Sequence, residues 1–268
     1  MLKLSYIVVS DPESFGSFEA FAAVLRRLKE LGYEGVEVGL TGPAGHELDA
    51  LHELTQSIDL PVVSFLTGTN YFRDGLCLSS PDGERRTRAV ERLCSHAAIA
   101  ARFDAILVVG QMQGFSSDEP DRSLALERIE TSLETVVRAA EQNGVTVVLE
   151  PVNHLQCGFN NTLDEVMAVT RSIGSAHLKP MLDSLHMNIE ETSLIEPIHR
   201  VGPDLGHFHL CESNGGLFGS GNLPFSDVLQ ALESVDYQRY ISIKVYREAW
   251  DVGAASALEY LRSRQGAL

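Results

Sequence analysis

The chain has 268 residues, of which 44% are hydrophobic and 22% charged, and its formal net charge is −16. These proportions support a folded protein with a large core and are not those of a disordered chain. The acidic excess argues against a nucleic-acid or anionic-membrane surface, because phosphate binding needs clustered Lys and Arg. We therefore expect neither nucleic acid nor a membrane as partner.

The cysteines and the start of the chain predict a cytoplasmic protein. The four cysteines show no Cys-x-x-Cys spacing, which is typical of reduced thiols in the cytosol. The N-terminal segment becomes polar too soon for a signal peptide. No run of residues approaches the roughly 18 apolar residues of a transmembrane helix.

Short β-rich segments alternate with helical patterns along the whole chain. The strand segments are apolar runs of Val, Ile, Leu and Phe, which is typical of a parallel sheet covered on both faces. The predicted strands are 3–9, 35–40, 62–67, 105–109, 146–150, 179–183, 206–210 and 240–245. The predicted helices are 18–31, 45–58, 84–102, 121–143, 162–173, 190–201, 225–234 and 252–264.

Consecutive βα units without a linker predict one domain, residues 1–268, folded as a closed (β/α)8 TIM barrel of the α/β class. A doubly wound open sheet is the alternative. It is disfavoured because Ser10-Asp11-Pro12-Glu13 follows the first strand, where such folds carry a glycine-rich phosphate loop.

The longest connections follow the third, fourth and seventh strands, at 68–83, 110–120 and 211–224. Loops after barrel strands form the catalytic face, so their length predicts a roofed pocket. Tyr71 in the first of these loops is a candidate substrate-binding residue. The alternative interpretation of each loop is an ordinary flexible surface connection.

Three neighbouring strands end in residue types that bind metals. Glu150, Asp183 and His209 end the fifth, sixth and seventh predicted strands. Because strand ends converge in a barrel, their side chains are expected to meet. Each residue alone has a structural explanation as a cap, an ion-pair partner or a core histidine. Together they predict a mixed oxygen and nitrogen site suited to Mn²⁺, Co²⁺, Mg²⁺ or Zn²⁺.

Motifs around these residues resemble those of xylose isomerase-like barrels, and in particular the sugar phosphate isomerases and epimerases that include the ketose 3-epimerases. The motifs are Glu150-Pro151-x-Asn153, then Asp183-x-x-His186-Met187-Asn188-Ile189-Glu190-Glu191, and His207-x-His209-x-x-Glu212-Ser213-Asn214. The resemblance runs over essentially the whole chain and is strongest in its second half.

The resemblance implies a sugar isomerase or epimerase that uses a divalent metal, with Mn²⁺ as the first expectation. It places Glu150, Asp183 and His209 as metal ligands and Glu150 also as a catalytic acid or base. It implies a sugar or polyol substrate and leaves a homo-oligomer open. The candidate substrate-binding residues are His186, Asn153, Gln156, His207, Glu212 and Tyr71.

The chain departs from the 3-epimerase pattern at several positions. The fourth metal-ligand position, a glutamate in the family, corresponds to Lys244. Where these epimerases carry Glu-x-x-Asn-Arg-x-Glu, this chain has His154 and Gln156 in the last part of the motif. Gly215 stands where they have an arginine. Strict ketose 3-epimerase activity is therefore not implied.

Lys244 is predicted to point into the barrel and is a candidate catalytic residue. A cation ~4–5 Å from a divalent ion is repelled by several kcal/mol at an effective dielectric near 20. Three outcomes are open. Lys244 replaces the metal by pairing with Glu150 and Asp183, or it has a lowered pKa and acts as an acid or base, or it turns aside from a three-ligand site.

The leading hypothesis is metal-assisted proton transfer next to the carbonyl of a keto sugar or polyol. With Glu150 alone, proton transfer on one face favours an isomerase, whereas an active Lys244 would permit epimerisation. The alternatives are a metal-dependent dehydratase or lyase on a cyclic polyol ketone, and a non-catalytic sugar-binding barrel without the metal. An apurinic endonuclease is disfavoured by the acidic charge, and an unphosphorylated substrate is slightly favoured.

Overall fold

A computed structural model of the protein describes residues 2–8, 15–42 and 47–265. Eight parallel strands in these ranges pair in chain order, and the first pairs with the last, so the sheet closes into a barrel. This confirms the predicted closed barrel over the open sheet. The strands are β1 (Lys3–Val8), β2 (Gly35–Gly39), β3 (Val62–Leu66), β4 (Ile106–Val109), β5 (Val147–Leu149), β6 (Leu178–Asp183), β7 (His207–Cys211) and β8 (Tyr240–Lys244).

Helices follow the strands and cover the outside of the barrel. Within the described ranges, no helix has both the length and the apolar character needed to cross a membrane. The helices are α1 (Phe18–Leu31), α2 (Glu47–Ser57), α3 (Thr69–Asp74), α4 (Gly83–Arg102), α5 (Arg122–Asn143), α6 (Leu163–Ile173), α7 (Ser184–Glu190), α8 (Glu196–Val201), α9 (Phe225–Ser234) and α10 (Trp250–Gln265).

The segment after β6 differs from the prediction of one helix over 190–201. Two short helices form instead, and α7 begins directly at the end of the strand. The Asp183 carboxylate accepts hydrogen bonds from the backbone N–H groups of Leu185 and His186, at 2.7 and 3.3 Å, and so caps α7. Pro197 lies in the first turn of α8, where a proline is tolerated. The loop 68–83 also contains α3, which was not predicted.

The barrel interior has an apolar layer beneath a polar one. Val108, Val148 and Met181 form a small cluster separate from the main core between barrel and helices. Because side chains alternate along a strand, residues two positions further on face the same interior, nearer the carboxyl end. Glu150 and Asp183 therefore stand directly above this apolar layer, and their carboxylates are held by rigid strands.

Candidate active site

A cavity of about 220 Å³ lies at the carboxyl end of the barrel. Its charged side chains and its histidine come from β5, β6 and β8 or the segments just after them, whereas β3, β4 and the segments after them contribute both apolar and uncharged polar side chains. The polar side chains are those of Thr67, Thr69, Gln111, Glu150, Gln156, His186 and Lys244, and the larger apolar and aromatic ones are those of Leu66, Phe72, Val108, Val152 and Tyr246.

The three predicted metal ligands meet beneath this cavity. His209 Nδ1 lies 3.3 Å from Glu150 Oε1 and 3.5 Å from Asp183 Oδ2. All three side chains are buried. Glu150 Oε1 and His209 Nδ1 have no hydrogen-bond partner in the described part of the chain. Leaving buried polar atoms unpaired is costly, so their convergence indicates a binding site.

These atoms suit a divalent cation. Two carboxylate oxygens and one imidazole nitrogen are ligands that Mn²⁺, Co²⁺ and Zn²⁺ accept. Among the described side chains of the site, three buried carboxylates, those of Glu37, Glu150 and Asp183, face one ammonium, that of Lys244. A histidine that binds a metal must be neutral. With the histidines in that state, this set carries two negative charges, which one divalent cation would neutralise. The residues present therefore fit a metal held by Glu150, Asp183 and His209.

Glu37 of β2 belongs to the site and was not predicted. Its carboxylate lies 3.0 Å from His209 Nε2 and 2.9 Å from His207 Nε2. Burial alone would raise the pKa of Glu37, but the two histidines outweigh it and hold this pKa well below its usual range. The only sequence signal was a charged residue between Val36 and Val38 in a buried strand.

Glu37 fixes the orientation of the His209 ring. A bond from one ring nitrogen to a carboxylate fixes the imidazole plane and leaves the other nitrogen for the metal. Here that free nitrogen is Nδ1, which points at Glu150 and Asp183. Burial would lower the pKa of His209, but Glu37 and the two carboxylates outweigh it and raise this pKa well above its usual range. A metal bound at Nδ1 would therefore displace a proton from that nitrogen.

Gly110, the residue that follows β4, leaves space for the Glu150 carboxylate. A Cβ atom at Gly110 would collide with Glu150 Oε2. The side-chain amide of Gln113 donates to the Glu150 backbone oxygen at 3.1 Å. Burial would raise the pKa of Glu150, but His209 and Lys244 outweigh it and lower this pKa. Glu150 is therefore a carboxylate at neutral pH and available as a base.

His186 faces the cavity from α7. Its Nδ1 lies 2.7 Å from the side-chain nitrogen of Asn153, which fixes the ring. Its Nε2 lies 3.7 Å from Glu150 Oε1 and 3.8 Å from Asp183 Oδ2. Burial lowers the pKa of His186, so the ring is neutral at pH 7. Its ligand atoms also group with those of Glu150 and Asp183, but His209 lies closer to both and only His186 lines the cavity.

Lys244 points inward at the end of β8, as predicted. Its Nζ lies 3.4 Å from Asp183 Oδ2 and 4.7 Å from the centre of the Tyr246 ring. Burial would lower the pKa of Lys244, but Tyr246, Asp183 and Glu150 outweigh it and raise this pKa well above its usual range. The shift is opposite to the lowered pKa that an acid–base role would require.

Among the remaining predicted substrate-binding residues, Gln156 lines the cavity and Tyr71 does not. The Tyr71 hydroxyl donates to Asp118 Oδ2 at 2.8 Å, and Arg85 lies 3.2 Å from the other oxygen of that carboxylate. Tyr71 thus ties the loop after β3 to the loop after β4. Its neighbour Phe72, which is 62% exposed, is the aromatic residue of this loop that reaches the cavity wall.

His207 and Glu212 also lie away from the cavity lining. His207 Nε2 contacts Glu37 and lies 3.0 Å from Ser242 Oγ, inside the barrel. The Glu212 carboxylate accepts hydrogen bonds from backbone N–H groups of the loop after β7. These donors are Ser213, Gly219 and Leu223, at 2.8, 2.9 and 3.2 Å. Glu212 therefore orders that loop, and its predicted contact with substrate stays a prediction.

Residues 25–264 match the family described as xylose isomerase-like TIM barrel. The chain belongs to this family. This confirms the resemblance inferred from the sequence motifs.

Named relatives among the xylose isomerase-like barrels are sugar epimerases, which are isomerase-class enzymes, in agreement with the predicted class. An L-ribulose 3-epimerase from Mesorhizobium japonicum is 28% identical over 225 residues, covering 83% of this chain and 74% of the relative.

A D-psicose 3-epimerase from Enterocloster bolteae is 35% identical over 153 residues. That match covers 49% of this chain and spans only 51% of the relative's length. Among solved structures, a D-allulose 3-epimerase from Methylomonas has a TM-score of 0.84 at 20% identity, with 98% of each chain covered. At that identity the structural likeness supports the barrel fold alone.

Proposed function

We propose that the protein is a metal-dependent sugar isomerase or epimerase that moves a proton next to the carbonyl of a keto sugar. The observation that carries the proposal is the unpartnered Glu150 Oε1, 3.3 Å from the unpartnered His209 Nδ1, under a cavity at the catalytic end of the barrel. The names of the sequence relatives support the same chemistry, since they act as 3-epimerases of keto sugars.

Glu150, Asp183 and His209 would hold the metal. When bound there, a divalent cation polarises a substrate carbonyl and stabilises the negative charge that develops on its oxygen. Mn²⁺ is the first candidate, because the donor set mixes carboxylate oxygens with one imidazole. Capping bonds to α7 hold the Asp183 carboxylate in place, and Gly110 leaves room for the Glu150 carboxylate.

Glu150 serves as the base in this proposal. Its carboxylate takes the proton from the carbon next to the carbonyl, and the electron pair of that C–H bond forms the enediolate. The neutral ring of His186 presents Nε2 to the cavity and binds a substrate hydroxyl, with Asn153 fixing its orientation. Gln156, on the same wall, offers a second polar contact.

The position to which the proton returns decides the product. Glu150 can return it to the neighbouring carbon on the same face, which gives an aldose–ketose isomerisation. Epimerisation requires a proton from the opposite face. Lys244 is the candidate from the sequence for that second group, but its raised pKa disfavours this role. The relatives' names favour 3-epimerisation, whereas the single intact carboxylate favours isomerisation.

A panel of unphosphorylated keto sugars tests the proposal directly. D-Psicose and L-ribulose should be included, because relatives carry these names. Incubation in D₂O with Mn²⁺, followed by NMR, is expected to show deuterium next to the carbonyl and a new epimer or aldose. Loss of water from a cyclic polyol ketone would indicate the dehydratase alternative. No exchange and no thermal shift with any metal would overturn the proposal in favour of a binding protein.

The same proposal includes a small sugar or polyol as partner and a cytoplasmic location. The four cysteines, all free in the structure, support the location. Within the described residues, the groups of side chains that could hold a metal include no cysteine. A homo-oligomer stays a prediction.

A further inference from the structure

Lys244 has two partners, and one of them is a proposed metal ligand. Its Nζ lies 3.4 Å from Asp183 Oδ2, the oxygen that faces His209. The other oxygen of Asp183 accepts the capping bonds of α7. Asp183 Oδ2 is therefore the one atom of this carboxylate left for a cation, and Lys244 and a bound metal both require it.

The second partner of Lys244 is the Tyr246 ring, whose centre lies 4.7 Å from Nζ. An aromatic face attracts an ammonium at this distance. Tyr246 reaches this place because its backbone N–H donates to the Gly215 oxygen at 2.8 Å. Gly215 has φ +69, and a Cβ atom there would lie only 3.1 Å from the Tyr246 ring, so glycine lets the ring pack closely.

The Lys244 ammonium makes both contacts at once, so it can give up Asp183 and keep the Tyr246 ring. On the Asp183 side it satisfies a buried carboxylate, and on the Tyr246 side it keeps a favourable contact without that carboxylate. Tyr246 is 44% exposed and lines the cavity together with Lys244, so the ammonium can lie along the cavity wall. Because the ammonium and a divalent metal repel each other, they cannot share Asp183 at low cost.

We propose that Lys244 is a built-in competitor of the divalent metal for Asp183, and that the Tyr246 ring keeps its ammonium when the metal binds. Lys244 then lowers metal affinity and stabilises the protein when metal is scarce. The inference rests on the proposed function, since it assumes the site of Glu150, Asp183 and His209. It assigns Lys244 and Tyr246 a role in metal affinity that is separate from proton transfer.

The first experiment measures Mn²⁺ affinity by isothermal titration calorimetry for the wild type and Lys244→Met. We expect the variant to bind Mn²⁺ at least tenfold more tightly. Lys179→Met is the matched control, because Lys179 is a β6 lysine whose Nζ pairs with Asp204 at 2.7 Å, away from the metal ligands. Its affinity should stay within twofold of the wild type. Equal or weaker binding by Lys244→Met would overturn the inference.

The second experiment measures thermal stability with EDTA and with Mn²⁺. Lys244→Met should melt at a lower temperature than the wild type in EDTA, because Asp183 loses its cation. The same variant should gain more from Mn²⁺ than the wild type does. A variant that is merely misfolded would lose stability in both conditions and bind no metal better. A smaller Mn²⁺ gain in Lys244→Met than in the wild type would therefore contradict competition.

Variants of Tyr246 test whether its ring holds the Lys244 ammonium when the metal occupies Asp183. Tyr246→Phe keeps an aromatic face and is expected to keep the wild-type affinity within about twofold, whereas Tyr246→Leu should weaken Mn²⁺ binding at least threefold. In the double variant with Lys244→Met, the Tyr246→Leu effect should vanish. An undiminished effect there would show that Tyr246 acts without Lys244. If neither the wild type nor any variant binds a divalent metal, the proposed function fails as well. If the metal binds with an affinity that does not change in Lys244→Met, only this inference is overturned.

Discussion

Glu37 Oε1 lies 3.0 Å from His209 Nε2 and holds the His209 ring in place. The two residues stand on β2 and β7, which are not neighbouring strands in the barrel. This bond turns the Nδ1 atom of His209 toward Glu150 and Asp183, where no protein hydrogen bond satisfies it. Glu37 therefore acts as a positioning residue for the proposed metal ligand, although it lies 172 residues away in the chain.

Replacing Glu37 should weaken metal binding. Glu37→Gln keeps an acceptor for His209 but removes the charge, and Glu37→Leu removes both. We expect Mn²⁺ affinity to fall ~10-fold in the first and up to ~100-fold in the second, as for other groups that orient metal-bound histidines. Titration calorimetry measures the change. Ser242→Ala is the control, because the Ser242 hydroxyl contacts His207 and Ser5 and not His209. Unchanged affinity in Glu37→Leu would contradict the positioning role.

Glu150→Gln should abolish turnover, because the amide cannot accept the substrate proton. We expect the rate of proton exchange with D₂O to fall by at least ~100-fold, the lower range for loss of a general base. NMR of the recovered sugar measures this rate. Glu233→Gln, on the exposed face of α9, is the control with the same chemical change. Full activity in Glu150→Gln would remove Glu150 from the mechanism.

Asn153→Ala should affect substrate binding through His186. Loss of the 2.7 Å contact to His186 Nδ1 leaves the ring free to turn. One hydrogen bond of this kind contributes about 0.5–1.5 kcal/mol, so KM should rise roughly 2- to 10-fold while kcat changes less. Steady-state kinetics on the identified substrate separate the two constants. Asn143→Ala, at the exposed end of α5, should change neither. A fall in kcat alone would contradict this assignment.

Stability should decrease in acid because of Glu37. Its pKa lies well below the ordinary value of 4.5, so its contribution is complete above that value and is lost as the pH falls toward the folded pKa. Glu37→Gln lacks this contribution at every pH. Urea unfolding in metal-depleted buffer should therefore show the gap in unfolding free energy between wild type and variant shrinking below pH 4.5. A gap that stays constant would argue against the depressed pKa.

Tyr71→Phe distinguishes a loop contact from a substrate contact. The structure places the Tyr71 hydroxyl on Asp118, so the variant should lose about 0.5–1.5 kcal/mol of stability and change KM little. Chemical denaturation and kinetics together give both values. A large rise in KM with unchanged stability would instead support the substrate contact predicted from the sequence.

Periodicity and the types of residue at strand ends were enough to predict the barrel and three residues of its candidate site. Apolar runs alternating with amphipathic helices mark a parallel sheet with covered faces, and this pattern is local. Glu150, Asp183 and His209 follow from it, because neighbouring parallel strands end at the same rim. Lys244 was also predicted to face inward from the alternation along β8.

Other features depend on contacts that no local pattern encodes. The early start of α7 follows from Asp183, whose carboxylate acts both as a strand-end ligand and as a helix cap. Tyr71 and Glu212 were predicted to bind substrate. The Tyr71 hydroxyl bonds to a neighbouring loop and the Glu212 carboxylate to its own loop, so their contacts with substrate stay predictions. The direction of a loop side chain depends on how the loops pack together, which motif spacing does not report.

The sequence by itself determined the strand order, the inward residues and the replacement of a glutamate by Lys244, because these depend on local hydrophobic pattern and residue type. Only the tertiary structure decided which charged side chains come into contact with one another. Closure of the barrel brings Glu37 to His209, and the close packing of Tyr246 on Gly215 offers Lys244 an aromatic face. Electrostatic energy depends on distances of a few ångströms between residues far apart in the chain, and folding alone sets those distances.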